Sequence, residues 1–447
     1  MDETATLDAL RALLLRRCAT DLRALELLEA PGWDERLRRA AAVKRRLLSP
    51  AAPKNAPPGE DACASEDEQD LAMLRVALRA WEGAVPCEDE VTDPALRAWR
   101  ARQRARCDTQ LTRANARGLL HPPLSLTLSR GCSVQCWFCS QAAPPLSSVY
   151  AHTPANTRLW RDVLEAAADV IGPAARTGYC YADTEPFDNP EYELFASDFH
   201  DVLGQFPQTT TARALSDPGR TRGLLALSLE RDGPRVRFSV LSAAMLGRLY
   251  REFTPEELLT VELILHVPDG HARFRSGRAR ERLRDRPGLS TPIEGTSSCL
   301  SGFLVEMIGR TVSLEAPWPA DDRRPLGSVV YAKETFRDGR DLARVMRRMI
   351  ARHMPAGWPA GPPARFRDDV SGHCDEGRLT LTSPHASHTL AGGAALETLG
   401  SLLTTPGHCG DDVAAAMHWH GWTAAQTRQM LDRLFDAGLL DETALAG

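Results

Sequence analysis

Three cysteines within eight residues, Cys132, Cys136 and Cys139, constrain this chain more than any other feature. They form a C-x3-C-x2-C pattern directly after Leu124–Ser129, a stretch whose apolar and polar residues alternate with the period of a strand. A strand that ends in three clustered thiols must open into a loop shaped around what those thiols hold. Thiolates are soft ligands, chosen by zinc and by iron–sulfur clusters. A structural zinc site requires a fourth Cys or His nearby. The next candidates, His152 and Cys180, are distant and carry no paired partner. Three protein ligands suit a [4Fe–4S] cluster with one iron open to a small molecule. The 11 cysteines are odd in number, and Met1–Leu10 has no basic-then-apolar pattern, so reduced thiols in the cytoplasm are expected.

The rest of the chain frames that loop. Its 447 residues predict two or three domains. Residues 1–48 carry a helical leucine stripe, and 49–70 are rich in Pro and acids and read as a disordered linker. Helical pattern returns at 71–81 and 94–115, so residues 1–118 form a helical N-terminal region. His121-Pro122-Pro123 ends it. From residue 119 strands and helices alternate: strands near 124–129, 177–181, 208–214 and 236–241, helices over 158–170, 191–203, 220–229 and 243–253. Repeated βα units predict an α/β fold with a parallel sheet and helices outside it, over about 119–330. Residues 303–314 and 328–331 add further strand pattern. In the C-terminal region, 331–447, a hairpin of 378–382 with 387–390 is followed by helices over 395–403, 411–418 and 424–437. That order, over 378–443, reads either as a winged-helix-like module or as a helical cap.

Charge and hydropathy exclude two classes of partner. The net charge is −5, unlike that of a protein gripping many phosphates, so no nucleic acid is expected. No apolar run approaches the ~18 residues a membrane helix needs, so no membrane is expected either.

The cysteine pattern after a first strand resembles the radical S-adenosylmethionine (SAM) enzymes, over about residues 119–320. The resemblance implies a partial (β/α)6 barrel in which Cys132, Cys136 and Cys139 hold one [4Fe–4S] cluster. SAM would chelate the open iron, and an electron from the cluster would release a 5′-deoxyadenosyl radical. Phe138 matches the aromatic residue that many members place before the third cysteine, near the adenine. Asp183-Thr184-Glu185-Pro186 stands where many members carry Gly-Gly-Glu-Pro, which holds the SAM amine. Glu185 and Pro186 match, while Asp183 and Thr184 replace both glycines. Glu185 also reads as an acid at a helix start. Thr184, and Ser239 and Arg237 on the fourth strand, are further candidates to contact SAM.

Within that superfamily the chain resembles enzymes that convert L-residues to D-residues in ribosomally made peptides such as proteusins. The similar phrases span about 125–375: Gly131-Cys132-Ser133-Val134, Cys136-Trp137-Phe138-Cys139, Asp188-Asn189-Pro190, Phe206–Thr211, Phe253–Leu258, Ser301–Val305 and Arg365–Asp369. The implied reaction removes a Cα hydrogen and returns one to the opposite face from a cysteine thiol. The resemblance places that donor late in the chain, at Cys374, with Cys299 as the alternative. Implied partners are a precursor peptide, with leader and core, and an electron donor such as a flavodoxin or ferredoxin. Two other readings stay open: a radical SAM maturase that forms a C–C or C–S crosslink, and a non-catalytic iron–sulfur or zinc protein that recruits a peptide.

Overall fold

The computed structural model describes residues 90–234, 236–254, 257–258, 260–266, 275–285 and 295–443. The helices expected over 1–48 and 71–81, and the linker at 49–70, lie outside them.

The described chain is a mixed α/β protein with several sheets. Helix α1, Pro94–Gln110, starts at Asp93, whose carboxylate accepts from the amides of Ala95 and Leu96. It stops at Leu111, and a short helix α2, Arg113–Gly118, restarts after the Thr112 cap. The single helix expected over 94–115 is therefore two. The chain then enters β1, Leu124–Thr127, and the two-residue strand β2, Ser129–Arg130, which pairs antiparallel with β3, Ser148–Val149. Helices α3, Pro154–Ile171, and α4, Tyr192–Leu203, follow.

Next come β4, Thr210–Thr211; α5, Pro218–Glu230; β5, Val236–Val240; α6, Ala243–Glu252; and β6, Val261–Leu265. β4, β5 and β6 form a parallel sheet in sequence order. Helix α7, Gly277–Asp285, precedes β7, Gly302–Glu306; β8, Thr311–Pro317; and β9, Ser328–Thr335. β1 pairs parallel with β7, Leu124 opposite Phe303 and Leu126 opposite Val305, and β8 and β9 extend that sheet antiparallel.

Between the two sheets lies the segment expected as a strand over 177–181. It forms a 3₁₀ turn, Pro173–Thr177, and then a single parallel bridge from Tyr179 to Ser125. The Leu126 amide donates to the Tyr179 carbonyl at 2.8 Å. The strand is short because Thr184 N–H turns back to the Tyr181 carbonyl. β4 is likewise shorter than the expected 208–214.

Helices cover the strands. Helix α8, Gly339–His353, packs on α3. Trp160, Phe195, Phe238, Leu126 and Phe303 are fully buried in the shared core, and the Trp160 indole donates to the Phe195 carbonyl. A second core belongs to the C-terminal region. There β10, Ser371–Asp375, β11, Arg378–Ser383, and β12, Ala386–Ala391, form an antiparallel sheet, followed by α9, Ala394–Thr404, α10, Gly410–His418, and α11, Ala424–Asp436. The expected hairpin and three helices are present, with β10 added at the sheet edge. Leu379, Leu381, Leu396, Leu399 and Phe435 fill this core.

Helix α1 joins the cores. Leu96 and Trp99 sit in the first, while Arg102 reaches the buried Glu442 carboxylate at 3.1 Å and lies over the Phe435 ring. Among the described residues no helix is long and apolar enough to cross a membrane.

Candidate functional site

The loop after β1 and β2 is fixed from several sides. Gly131 has φ +82°, and a β-carbon there would collide with the carbonyl oxygens of Pro144 and Pro145. Only glycine suits that approach. The Cys132 amide donates to the Pro144 carbonyl at 2.9 Å, and the Gln135 side chain ties back to the carbonyls of Cys132 and Pro144. The Ser133 amide donates to Asp188 at 2.8 Å, and Arg213 meets the same fully buried carboxylate at 2.9 Å. From the other side, the Arg278 amide donates to the Cys139 carbonyl and its guanidinium to the Cys136 carbonyl at 3.0 Å. The backbone thus turns inward around the three thiols with its carbonyls already engaged.

The thiols are half-buried and free. Burial pushes Cys132 up, and burial together with Cys139 and Cys132 pushes Cys136 up to about 12. Thiols held in their protonated form by burial gain by meeting a cation that takes their protons. No three His, Cys, Asp or Glu side chains among the described residues are grouped to hold a single metal ion. A cubane cluster does not ask for that, because each thiolate binds a different iron. The donor set fits such a cluster.

The loop opens onto a cavity of about 390 Å³. Cys132, Cys136, Cys139 and Phe138 border it on one side. Phe138 stacks on His266 just beyond β6, with ring centroids 4.5 Å apart and planes 17° apart. Glu185, Thr184 and Ser239 all line the cavity, so the structure brings these candidates together. Glu185 is deeply buried and already engaged: it accepts from the Thr211 hydroxyl, the Ala212 amide at 2.9 Å and the Phe187 amide at 3.2 Å. Burial nevertheless raises its carboxyl above the usual range. It caps the 3₁₀ turn Pro186–Asp188 rather than the helix expected from 191. A carboxylate has about four acceptor positions, so Glu185 retains room for one more donor.

The two cysteines proposed as hydrogen donors separate. Cys299, just before β7, lines the cavity. Tyr179 interacts with its sulfur, and Arg237 and Asp183 act on it electrostatically. Burial pushes the thiol up, so it holds its proton. Cys374 is not on the cavity wall. It lies in β10, its sulfur directed at the Leu396 carbonyl of α9 at 3.8 Å, against the second core. Late sequence position put Cys374 forward, but the fold carries that strand into the C-terminal sheet. Cys180 is buried core; Cys18, Cys63 and Cys87 lie outside the described residues.

Sequence reasoning missed three cavity groups. Tyr179 and Tyr181 reach it from the degenerate strand, their rings 5.0 Å apart, with the Tyr181 hydroxyl bonded to Gln208 and Thr210. Their alternation within 177–181 was the available signal. The third group is the Asp183 side chain, treated from sequence only as a replaced glycine.

The described chain is an α/β protein with a cysteine-bearing loop at the mouth of one cavity. It is 36% identical over 359 residues to the uncharacterized protein y4wI of Sinorhizobium fredii, covering 79% of this chain and 70% of that one, and it belongs to the family of that protein. No family model matches. Among solved structures, BtrN in complex with AdoMet and 2-DOIA is 16% identical, over 43% of this chain and 72% of that one, with a TM-score of 0.27. That likeness is too slight to define a fold.

Proposed function

We propose that the protein is a radical SAM enzyme with the partial (β/α)6 barrel of that superfamily, and that it converts L-residues to D-residues in a ribosomally made peptide. Supporting it is one cavity bordered at once by the three loop cysteines and by a separate protonated thiol, Cys299. Cys132, Cys136 and Cys139 would hold a [4Fe–4S] cluster, and Phe138, Thr184, Glu185 and Ser239 would surround SAM. When bound, the cluster and SAM supply a 5′-deoxyadenosyl radical that takes the Cα hydrogen of the peptide.

The chain's own part is to hold the peptide and return a hydrogen from the other face. Cys299 fits that step. Its S–H bond forms the new Cα–H bond, and the sulfur keeps one unpaired electron. One electron and one proton from an external reductant of the flavodoxin or ferredoxin class restore the thiol. A thiolate has no hydrogen atom to give, so burial that keeps Cys299 protonated serves the reaction. Cys374 lacks a place on the cavity wall. We therefore assign the donor to Cys299. The C-terminal sheet and helices would dock the leader of the precursor, a segment that can add as a strand to a sheet edge.

The test is anaerobic reconstitution with iron, sulfide, SAM and dithionite in deuterated water, with short peptides encoded near this gene as trial substrates. An inverted residue should carry one deuteron at Cα and no other change. Loss of two hydrogens would instead establish a crosslinking maturase. Absence of 5′-deoxyadenosine would overturn the radical reading itself.

A further inference from the structure

A second cavity, of about 450 Å³, is lined from both halves of the chain. One wall is the loop joining β8 to β9, with Trp318, Arg323 and Arg324; the other is Arg367–Asp369 and the turn between β11 and β12. Arg367 lies at its floor, with 1% of the side chain exposed. A guanidinium carries five N–H donors. Its Nε donates to Asp369 at 2.9 Å, and its Nη2 to Asp369 at 3.1 Å and to the Thr109 hydroxyl at 3.0 Å. Nη1 is buried and has no partner among the described residues. A buried donor without an acceptor costs free energy, so a group that supplies the acceptor gains by entering.

The wall cannot supply it, because its carboxylates already have cations. Asp369 holds Arg367 itself; Asp321 pairs with Arg324 at 3.2 Å, Asp322 with Arg280 at 2.7 Å and Asp441 with Arg365. Asp368 pairs with Arg323 at 3.0 Å. Arg106 lies over the Trp318 ring, 4.2 Å from its centroid, and bonds only to the neutral oxygens of Gln103, Gln110 and Pro317. Guanidinium groups thus outnumber carboxylates around the cavity, which calls for an anion. Arg323 and Asp368 at its mouth are 77% and 62% exposed. Such an exposed pair holds weakly, so an incoming carboxylate can replace Asp368 on Arg323.

The two cavities adjoin. Gly295 lines this one, while Ser297 and Cys299 line the cavity of the three cysteines. Thr296 between them is fixed by Asn115, which donates to its carbonyl at 2.9 Å and accepts from its amide at 3.0 Å. A peptide that docks on the C-terminal sheet and reaches Cys299 has this cavity beside its course.

We infer that the second cavity is a subsite for the peptide and takes one of its acidic side chains, at a residue apart from the one presented to Cys299. This rests on the proposed reading of the protein as a peptide-modifying enzyme. It narrows the substrate class to precursors with an aspartate or glutamate outside the inverted segment.

The test uses the full chain and two amidated probes carrying the same neutral dye, a tetraglutamate and a tetraglutamine, with binding read by fluorescence anisotropy. The tetraglutamate should bind about ten-fold more tightly, since an ionised acceptor makes the stronger bond. Arg367→Gln should erase that preference. Because Arg367 also holds Asp369, its melting temperature is measured alongside. Arg323→Gln, at the exposed mouth, keeps the fold and should narrow the preference to about three-fold. Arg344→Gln, exposed on α8 and outside this wall, should leave it unchanged. A wild-type chain with no preference, or one that binds neither probe, overturns the inference. So does a preference that survives in both cavity variants, or one that Arg344→Gln narrows equally, which would make it an effect of overall charge. Inorganic phosphate binding more tightly than tetraglutamate would overturn it as well, by making this a site for a free anion. Formation of 5′-deoxyadenosine by the same preparation is measured separately, so failure of the radical reading and failure of this inference give different results.

Discussion

Cys299 and Cys374 are the same residue in two regions built on different terms. Around the cavity the backbone accepts strain: Gln135, Ala142 and Asp183 all have positive φ without being glycine. In the C-terminal region positive φ falls mostly on glycines, at Gly377, Gly393, Gly407, Gly421 and Gly438, with Glu376 in a hairpin turn the exception. The cavity side leaves the exposed Asp183 carboxylate without a hydrogen-bond partner among the described residues. The C-terminal side gives Cys374 a carbonyl and an apolar neighbour and asks nothing more of it. Backbone strain of this kind gathers where something other than stability retains it. The contrast therefore sets a cavity wall with left-handed non-glycine positions against a region whose left-handed turns are mostly left to glycine.

The largest effect should come from the loop. Cys136→Ala removes one of the three proposed iron ligands, and we expect loss of bound iron and of all SAM cleavage, read by iron analysis and by 5′-deoxyadenosine. Gly131→Ala should do nearly as much without touching a ligand. Its new methyl group would meet the carbonyls of Pro144 and Pro145, and φ +82° would disfavour any β-carbon. Full iron loading in Gly131→Ala would show that the loop adapts more freely than its bonding implies.

The loop was legible because its spacing is local. Three thiols within eight residues must share a turn, whatever surrounds them. The helices were legible for the same reason: Asp93, Thr153 and Asp217 cap their helices within three residues of themselves. The Cys299 site was not, because it is assembled across distance. Tyr179 and Asp183 come from one segment and Arg237 from another, and the pairing of β1 with β7 brings Cys299 to them. The strand at 177–181 shrank to a single bridge because its end is drawn into a turn. The backbone at Asp183 was hidden for a further reason: a sequence shows that a glycine is replaced, but not that the replacement keeps glycine's conformation, here φ +58°.

The second effect is selective and compares the two thiols directly. Cys299→Ala should still split SAM and lose the peptide Cα hydrogen, yet yield no D-residue. Cys374→Ala should give D-residues at the wild-type level. The reverse result would return the donor role to Cys374 and would require β10 to leave the second core. Chemical reactivity offers an independent reading. Burial raises the Cys299 thiol, so its alkylation should set in at higher pH than that of an ordinary thiol.

A smaller effect tests whether the second region is only packing. Leu399 is fully buried there, between α9 and its neighbours. Leu399→Ala should destabilise that core by about 2–5 kcal/mol, seen as an earlier unfolding transition. Iron loading of the reconstituted chain should not change. Loss of iron in this variant would show that α1, which touches both cores, couples them more tightly than the division between them suggests.

The smallest effect belongs to Asp183 and depends on pH. Desolvation in the cavity, with Glu315 adding to it, lifts its carboxyl to about 7 from the usual range near 3.8. The folded chain therefore binds this proton more tightly than the unfolded chain does. Its contribution is fully present below about pH 4 and is lost as pH rises through 7. Asp183→Gly removes that loss and also the left-handed strain, worth roughly 1 kcal/mol. The variant should thus gain stability over the wild type at every pH, and its advantage should widen between pH 4 and 8, measured by denaturant unfolding across that range. An advantage that stays flat with pH would mean the carboxylate is solvated well enough to ionise normally. The strain would then remain real and would account for the whole gain.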